Sequence, residues 1–330
     1  MYDGDRSTAV CHTKCTAGPR NRRCLGPNRQ TQRELVVDQV AQDINYEALN
    51  DEELDALERK IAAKYIQKST LGIVVWGFSN TLIWLSLWPL VILGIVPIWA
   101  AFPVAVINVC AAYLPSHDAQ HSIIAREGQK LRWLNELLGH VSLVPFAQAF
   151  RYLRFTHFEH HSHTNNPELD PDFDVHAENR RAYFKNALMR KQPASSARKD
   201  LYASALERTN QSYAAVDAVV IRSIYTLILF FAAYNGYAIE AALLWWLPMH
   251  IADIYIPYYL SWKPHHPGQE QGRYKDTYAF KSHMGNIFSS GMQFHVVHHL
   301  YPRIPLMHTP AAFREMRPIL LRRGCDLHGM

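Results

Sequence analysis

Residues 69–117 read STLGIVVWGFSNTLIWLSLWPLVILGIVPIWAAFPVAVINVCAAYLPSH, a run of 49 residues without Asp, Glu, Lys or Arg. A helix needs about 20 apolar residues to cross the hydrocarbon core of a bilayer. As a single helix the run would be about 73 Å long, because each residue adds about 1.5 Å. Gly94 and Pro97 interrupt the run near its middle. We therefore predict two membrane spans, over 70–93 and 97–117, that form a hairpin.

A second hairpin is predicted over residues 216–262. Apolar runs at 223–234 and 241–252 are separated by the turn Asn235-Gly236. The region also contains four charged residues, which are Asp217, Arg222, Glu240 and Asp253. The expected fold class is an all-α integral membrane protein with four transmembrane helices in two hairpins.

Composition supports this class and excludes others. The chain is 48% hydrophobic and 12% aromatic, which is too apolar for a disordered protein. Its mean hydropathy of −0.17 averages over polar and apolar segments that are clearly separated along the sequence. The net charge of +5 is compatible with nucleic acid or anionic lipid. We predict no nucleic-acid partner, because the basic residues avoid two particular loops.

The distribution of basic residues predicts the orientation in the membrane. Residues 122–215 contain thirteen Lys and Arg residues, whereas the hairpin tips at 93–97 and 233–240 contain none. Loops rich in Lys and Arg stay on the cytosolic side. The long loop and both termini are therefore predicted to be cytosolic. The host membrane stays open between a bacterial inner membrane and the endoplasmic reticulum.

Four regions are predicted along the chain. Residues 1–40 lack periodicity and lack the apolar core of a secretory signal, so we expect a disordered tail. Residues 41–68 carry apolar residues at helical spacing and predict an amphipathic helix at the membrane surface. The membrane domain covers 69–320, and 321–330 form a C-terminal tail. Within the first tail, a less favoured alternative is a zinc site built from Cys11, His12, Cys15 and Cys24.

Three histidine clusters carry the chemistry. Among 18 histidines, eight lie in HDAQH at 117–121, HFEHH at 157–161 and HVVHH at 295–299. Residues three or four apart share one face of a helix, so each cluster aims its imidazoles at one point. Imidazole binds iron, copper or zinc, and eight imidazoles exceed what one ion can hold. The pattern therefore predicts two metal ions bound by His117, His121, His157, His160, His161, His295, His298 and His299.

The topology agrees with this prediction, because all three clusters fall on the predicted cytosolic side. Carboxylates near the clusters can hydrogen-bond to ligand imidazoles and orient them. The candidates for this role are Asp118, Glu159, Asp170 and Asp172. Two further histidines, His265 and His266, lie at the predicted cytosolic exit of the last span. Either of them can supply a ninth ligand.

The chain resembles the membrane fatty acid desaturase and hydroxylase superfamily over about residues 75–320. The signature H-x3-H, H-x2-H-H, H-x2-H-H stands in order at 117–121, 157–161 and 295–299. The flanking sequences agree with TN at 164–165, DPD at 170–172 and LYPRIP at 300–305. The resemblance implies a non-haem di-iron centre, on four transmembrane helices beneath a helical cytosolic cap. The superfamily's extra histidine, about thirty residues before the third cluster, matches His265.

A second resemblance is to carotenoid-ring ketolases and hydroxylases. It rests on the HDxxH cluster and on WKPHHPG at 262–268. The third cluster lacks the additional histidines and tryptophans usual in those enzymes. HPGQ at 266–269 is similar to a haem motif of cytochrome b5, but no haem domain surrounds it. Electrons are therefore expected from an external ferredoxin or cytochrome b5-type donor with its reductase.

The expected function is O₂-dependent oxidation of an unactivated C–H bond in a membrane lipid at two iron ions. Fatty acid desaturation is the first hypothesis. Hydroxylation or ketone formation on a lipid, alkane or carotenoid is the alternative within the superfamily. From other classes, a zinc-dependent membrane hydrolase and a transporter stay open, because both use histidines at a membrane. The sequence identifies no substrate-binding residue.

Overall fold

The structure is a computed structural model that describes residues 44–189, 201–283, 285–328 and 330. Every regular element within these ranges is helical, which confirms the predicted all-α class. The predicted tail over 1–40, with its alternative zinc ligands Cys11, His12, Cys15 and Cys24, lies outside the described residues.

Most connections between the helices are short, except within the central loop at 122–215 and between Trp262 and Gly285. In chain order they are α1 (Asp51–Ile66), α2 (Leu71–Ile92), α3 (Ile98–Gln120), α4 (Arg132–Ser142), α5 (Phe150–His163), α6 (Arg180–Met189), α7 (Leu201–Arg208), α8 (Tyr213–Tyr234), α9 (Ala238–Trp262), α10 (Gly285–Phe288), α11 (His295–Leu300) and α12 (Thr309–Arg322). Single 3₁₀ turns occupy Tyr46–Ala48, Pro171–Val175, Met292–Phe294 and Leu306–His308.

Four of these helices, α2, α3, α8 and α9, are long and apolar enough to cross a membrane. They coincide with the four predicted spans, and α3 continues to Gln120, so that it includes His117. Gly94 and Gly236 adopt φ values of 72° and 89° at the two turns. Glycine accepts this left-handed conformation without a steric cost, which is why the helices end there.

Helix α9 departs from regular α geometry in two places. Its residues Ala242–Trp246 and Tyr258–Trp262 form π-helical turns. The first turn lies just before Pro248 and the second just after Pro257. Proline has no N–H group to donate, and its ring crowds the turn before it, which explains the wider first turn next to Pro248.

The spans α2, α3 and α9 pack around aromatic and amide side chains. Trp84 is 2% exposed and donates its indole N–H to the Leu244 carbonyl at 3.0 Å. Its ring lies 5.0 Å from that of Trp245. The Asn108 amide donates to Asn80 Oδ1 at 2.7 Å. Because polar groups in an apolar core need partners, these bonds fix how the helices meet.

Helix α8 buries few of its side chains. Ala214 and Tyr225 are buried, Leu229 packs in part against the core, and most of the other apolar side chains of the helix are exposed. Asp217 lies 3.5 Å from Arg151 of α5, and Arg222 lies 3.9 Å from Asp253 of α9. Three of the four charges that interrupt the second predicted hairpin therefore connect α8 to its neighbours.

Helices α1 and α12 build a second apolar core. Asn50 and Glu53 form reciprocal caps at the start of α1. Its apolar face, including Leu54 and Ile61, packs against Phe313 and other side chains of α12. The residues after α12, which we predicted as a tail, contribute two more members to this core, Cys325 and Leu327. Placement of α1 at the membrane surface stays a prediction.

A buried carboxylate connects α1 to the segment that follows the third histidine cluster. Glu58 is 1% exposed and accepts hydrogen bonds from Tyr301 at 2.7 Å and Tyr274 at 3.1 Å. Arg273 approaches the same carboxylate at 3.4 Å. Tyr301 lies two residues after His299, so α1 supports the histidine-bearing helix α11.

Replacing this carboxylate is expected to destabilise the protein. Glu58→Gln keeps the side-chain shape but removes the charge that strengthens these bonds, a loss of about 1–3 kcal/mol. We expect the thermal melting temperature of the detergent-solubilised protein to fall by several degrees. Glu52→Gln, an exposed position of the same helix, is the matched control. Equal melting temperatures for the two variants would contradict the assignment.

Candidate metal centre

Four segments deliver the predicted ligand histidines to one place. The end of α3 carries His117 and His121, α5 carries the second cluster at 157–161, and α11 carries the third cluster at 295–299. His265 follows the second π turn of α9. Within each helix the spacing of three or four residues places the imidazoles on one face. The centre therefore forms where the end of a membrane span meets two helices of the loops.

The imidazoles fall into two groups of four. In each group, one nitrogen of every residue lies within 4.8 Å of the corresponding nitrogens of the other three. The first group is His117, His121, His157 and His298, and the second group is His160, His265, His295 and His299. His161 belongs to neither group. Its Nε2 lies 3.1 Å from His157 Nε2 and 3.0 Å from His298 Nε2 of the first group, and its ring stacks at 4.1 Å on that of His299 of the second.

The donor set fits two iron ions. His157 Nε2 and His121 Nε2 are 2.9 Å apart, and His299 Nε2 and His295 Nε2 are 3.1 Å apart. Two ligands at about 2.1 Å from an ion and at right angles are about 3.0 Å apart, given usual metal–imidazole distances. Both ring nitrogens of His117 and Nε2 of His265 are buried and have no hydrogen-bond partner among the described residues. Lone pairs that converge in this way suit a transition metal.

Burial keeps most of these imidazoles neutral. Desolvation and the neighbouring histidines hold the pKa well below its ordinary value for His121, His157, His161, His295, His298 and His299. Burial also lowers the pKa of His265 to about 3. A neutral imidazole has a free lone pair at one nitrogen, which is the form that binds metal.

His160 differs because a carboxylate holds its other nitrogen. Its Nδ1–H donates to Asp170 Oδ1 at 2.9 Å. Burial opposes the charged form, but Asp170 outweighs it and raises the pKa of His160 to about 9. The same bond directs Nε2 toward the second group. Asp170 also accepts from the backbone N–H groups of Asn165 and Asp172, both at 2.9 Å.

The other three predicted orienting carboxylates have different surroundings. Asp118 lies 3.9 Å from His117 Nδ1 and accepts the Leu306 N–H at 3.2 Å. Glu159 accepts from Arg208 at 2.7 Å. Asp172 accepts from the Tyr202 and Ser261 hydroxyl groups. The hydrogen bonds of Glu159 and Asp172 are thus made to groups other than the clustered imidazoles.

Some orienting contacts were not predicted from the sequence. His265 Nδ1–H donates to the Asp276 carbonyl at 2.9 Å, which leaves Nε2 free to face the second group. The Asn165 amide donates to that carbonyl at 2.9 Å, and so joins the two loops. His266 lies outside both groups, with its ring 4.6 Å from Trp262. A backbone carbonyl cannot be recognised from the sequence as a hydrogen-bond partner. The TN pair at 164–165 was the only sequence feature noted near this contact.

A cavity of about 280 Å³ adjoins the histidines. Its lining includes His157, His160 and His295 of the two groups. Its apolar lining residues include Phe146, Leu153, Ile256 and Leu260. Its polar lining residues include Gln148, Asp172, Tyr202 and Ser261. A bound molecule would therefore contact imidazoles, apolar side chains and polar side chains at once.

Comparison with known proteins agrees with this architecture. Residues 84–328 match the model of the family described as fatty acid desaturase. The match covers well over half of the chain, so the protein belongs to the fatty acid desaturase family. This result confirms the resemblance found in the sequence, and it places the chain in a family of oxidoreductases, the predicted enzyme class.

Two kinds of relatives have similar segments. An sn-1 oleoyl-lipid 12-desaturase of Synechocystis sp. is 32% identical over 105 residues, which are 32% of this chain and 26% of that protein. A similar enzyme of Anabaena variabilis is 35% identical over 98 residues, 28% of this chain and 25% of its own. A zeaxanthin 4-ketolase of Chlamydomonas reinhardtii is 37% identical over 62 residues, 18% of this chain and 13% of its own. The matches thus span about a quarter of each relative or less.

The protonation of His160 makes metal binding depend on pH. Below about pH 9, His160 of the metal-free protein carries a second ring proton, on Nε2, and a bound ion must displace that proton. Affinity should therefore rise with pH, by up to about tenfold per unit, and level off near pH 9. Titration with Co²⁺ against a chelator, over about pH 7 to 9, measures this slope.

Asp170→Asn serves as the comparison. Without the Asp170 carboxylate, the burial that lowers the pKa of His160 is opposed by the smaller effects of Asp172 and Asp276, so the slope between pH 7 and 9 should become much shallower. A wild-type affinity that does not vary with pH, or an unchanged slope in the variant, would refute this account of His160.

Proposed function

We propose that this protein is a membrane-bound di-iron enzyme that uses O₂ and two electrons to oxidise an unactivated C–H bond in a lipid, with acyl-chain desaturation as the first hypothesis. The observation that carries the proposal is the pair of four-imidazole groups side by side. Iron ions held there would supply the binding and reductive activation of O₂. The proposed ligands are the eight cluster histidines together with His265.

The protein's own residues would position the lipid and exclude water. Leu153 of α5 and Ile256 of α9 are apolar residues that line the same cavity as His157 and His295. Helix α9 is one of the four candidate membrane spans, so a lipid can reach this cavity from the bilayer. The acyl-lipid desaturases of Synechocystis and Anabaena support an acyl chain as the substrate.

We place the catalytic domain at residues 69–320, with the centre and both termini in the cytosol. The thirteen basic residues at 122–215 support this orientation. A cleft of about 400 Å³ borders His161 and His299, the least enclosed region of the centre. It gives an external ferredoxin or cytochrome b5-type donor a short route to the ions.

Ketone formation or hydroxylation is the second candidate. The zeaxanthin 4-ketolase of Chlamydomonas reinhardtii and a beta-carotene 4-ketolase 3 of Haematococcus lacustris are similar to this chain over 62 residues each. The polar residues that line the cavity favour this candidate, because an unsubstituted acyl chain has no group that can hydrogen-bond with them.

Metal analysis of the purified, detergent-solubilised protein tests the proposal. We expect about two irons per chain, because the imidazoles exceed what one ion can hold. His265→Ala should lower the iron content, since its Nε2 is one of four nitrogens in the second group. His266→Ala is the matched control, because the adjacent ring lies outside both groups.

Product analysis then separates the candidates. Incubation with isotopically labelled lipids, O₂ and a reducing system should yield a product that has lost two hydrogen atoms if the protein is a desaturase. A gain of oxygen identifies a hydroxylase or ketolase. One zinc and no iron, with hydrolysis of the lipid, would overturn the proposal and favour a metallohydrolase.

A further inference from the structure

The cavity beside the histidines has an unusual wall for a site that takes lipids. An unsubstituted acyl chain is matched by apolar surface throughout. Here a carboxylate, a phenol and an alcohol line one side, contributed by Asp172, Tyr202 and Ser261. We call these three residues the Asp172 cluster. They come from three separate parts of the chain, which are the 3₁₀ turn Pro171–Val175, helix α7 and helix α9.

The carboxylate of this cluster is held in a fixed orientation. Tyr202 donates its hydroxyl to Asp172 Oδ1, and Ser261 donates to Oδ2 at 2.6 Å. Burial and the adjacent carboxylate raise the pKa of Tyr202 well above its ordinary value, so the phenol keeps the proton that it donates. A carboxylate has about four acceptor positions, and within the part of the chain that the structure describes these two bonds occupy half of them.

The free acceptor positions disfavour a plain hydrocarbon. An alkyl chain pressed against the carboxylate would remove water without replacing its hydrogen bonds, which is costly for a charged group. A ligand that brings its own O–H donor avoids that cost. The apolar lining residues, which include Phe146, Leu153 and Leu260, still require that the rest of the ligand be apolar.

The Asp172 cluster is also held in a fixed position relative to the candidate metal centre. Asp170 Oδ1 accepts from His160 Nδ1 and from the backbone N–H of Asp172, each at 2.9 Å. One carboxylate oxygen thus fixes both a candidate metal ligand and the residue that contacts the ligand's polar group. These two hydrogen bonds of Asp170 would therefore fix the distance between a bound hydroxyl group and the ions.

From this geometry we infer that the Asp172 cluster binds a hydroxyl group of the substrate, so that the protein acts on a lipid that carries a hydroxyl a few bonds from the carbon to be oxidised. The inference rests on the proposed function and specifies its substrate class. In this role Asp172 determines specificity: its bond to the hydroxyl selects which C–H bond faces the centre.

Matched substrate pairs test the inference. One pair is zeaxanthin, whose ring carries a hydroxyl, and β-carotene, which lacks it. The other pair is phosphatidylcholine with a 12-hydroxyoleoyl chain and the same lipid with an oleoyl chain. Iron-loaded, full-length protein is assayed for kcat/KM on each lipid with O₂ and a reducing system. We expect a preference for the hydroxylated member of about 10- to 100-fold in at least one pair, the effect of a hydrogen bond to a charged group.

Two variants separate binding from structural support. Asp172→Asn keeps the side-chain shape but weakens acceptance, so the preference should fall toward one. Tyr183→Phe removes a buried hydroxyl that donates to Ile254 at 2.8 Å and does not line the cavity, so the preference should be retained. If Asp172 only stabilised the fold, its variant would lower turnover of both members equally, and the ratio would not change.

The outcomes distinguish this inference from the proposed function. Turnover of the hydroxyl-free lipids as fast as or faster than their partners would overturn the substrate class and leave the di-iron oxidation in place. An unchanged preference in Asp172→Asn would overturn the role of the cluster. An iron-loaded protein that oxidises none of the four lipids would contradict both.

Discussion

Ring nitrogens that face one another in a protein interior need a proton or a metal ion between them, and this requirement governs the centre of the molecule. His121, His157, His161 and His298 approach one another in a chain of Nε2–Nε2 contacts of 2.9–3.1 Å. Their low pKa values mean that each imidazole is neutral and carries a single ring proton, so each keeps one nitrogen whose lone pair can bind metal. Bringing them together from α3, α5 and α11 fixes how these elements are arranged.

The elements around the centre serve this arrangement. Helix α9 ends in a π turn that positions His265 opposite His160, and the Asp276 carbonyl orients the ring. Asp170 holds His160 and the turn that carries Asp172, so the centre and the cavity share one support. Glu58 of α1 accepts a hydrogen bond from Tyr301, the residue that follows α11. Nδ1 of His265, Asp170 and Glu58 each have a partner that restricts the geometry of the site.

The sequence predicted the features that depend on local pattern. A charge-free run interrupted by Gly94 and Pro97 marked the first two spans, and i+3 and i+4 spacing marked the clustered imidazoles. The sequence did not predict which imidazoles belong to the same group. His160, for example, groups with His295 and His299 rather than with His157 of its own helix. Partners such as Arg208 for Glu159 lie far away along the chain, so their positions follow from tertiary packing alone.

We propose that two iron ions bind in two separate groups of imidazoles. An experimental structure of the iron-loaded protein, with anomalous scattering recorded at the iron edge, would locate them. We expect two iron peaks, one among His117, His121, His157 and His298 and the other among His160, His265, His295 and His299. A single iron peak, or anomalous scattering at the zinc edge alone, would refute the proposal.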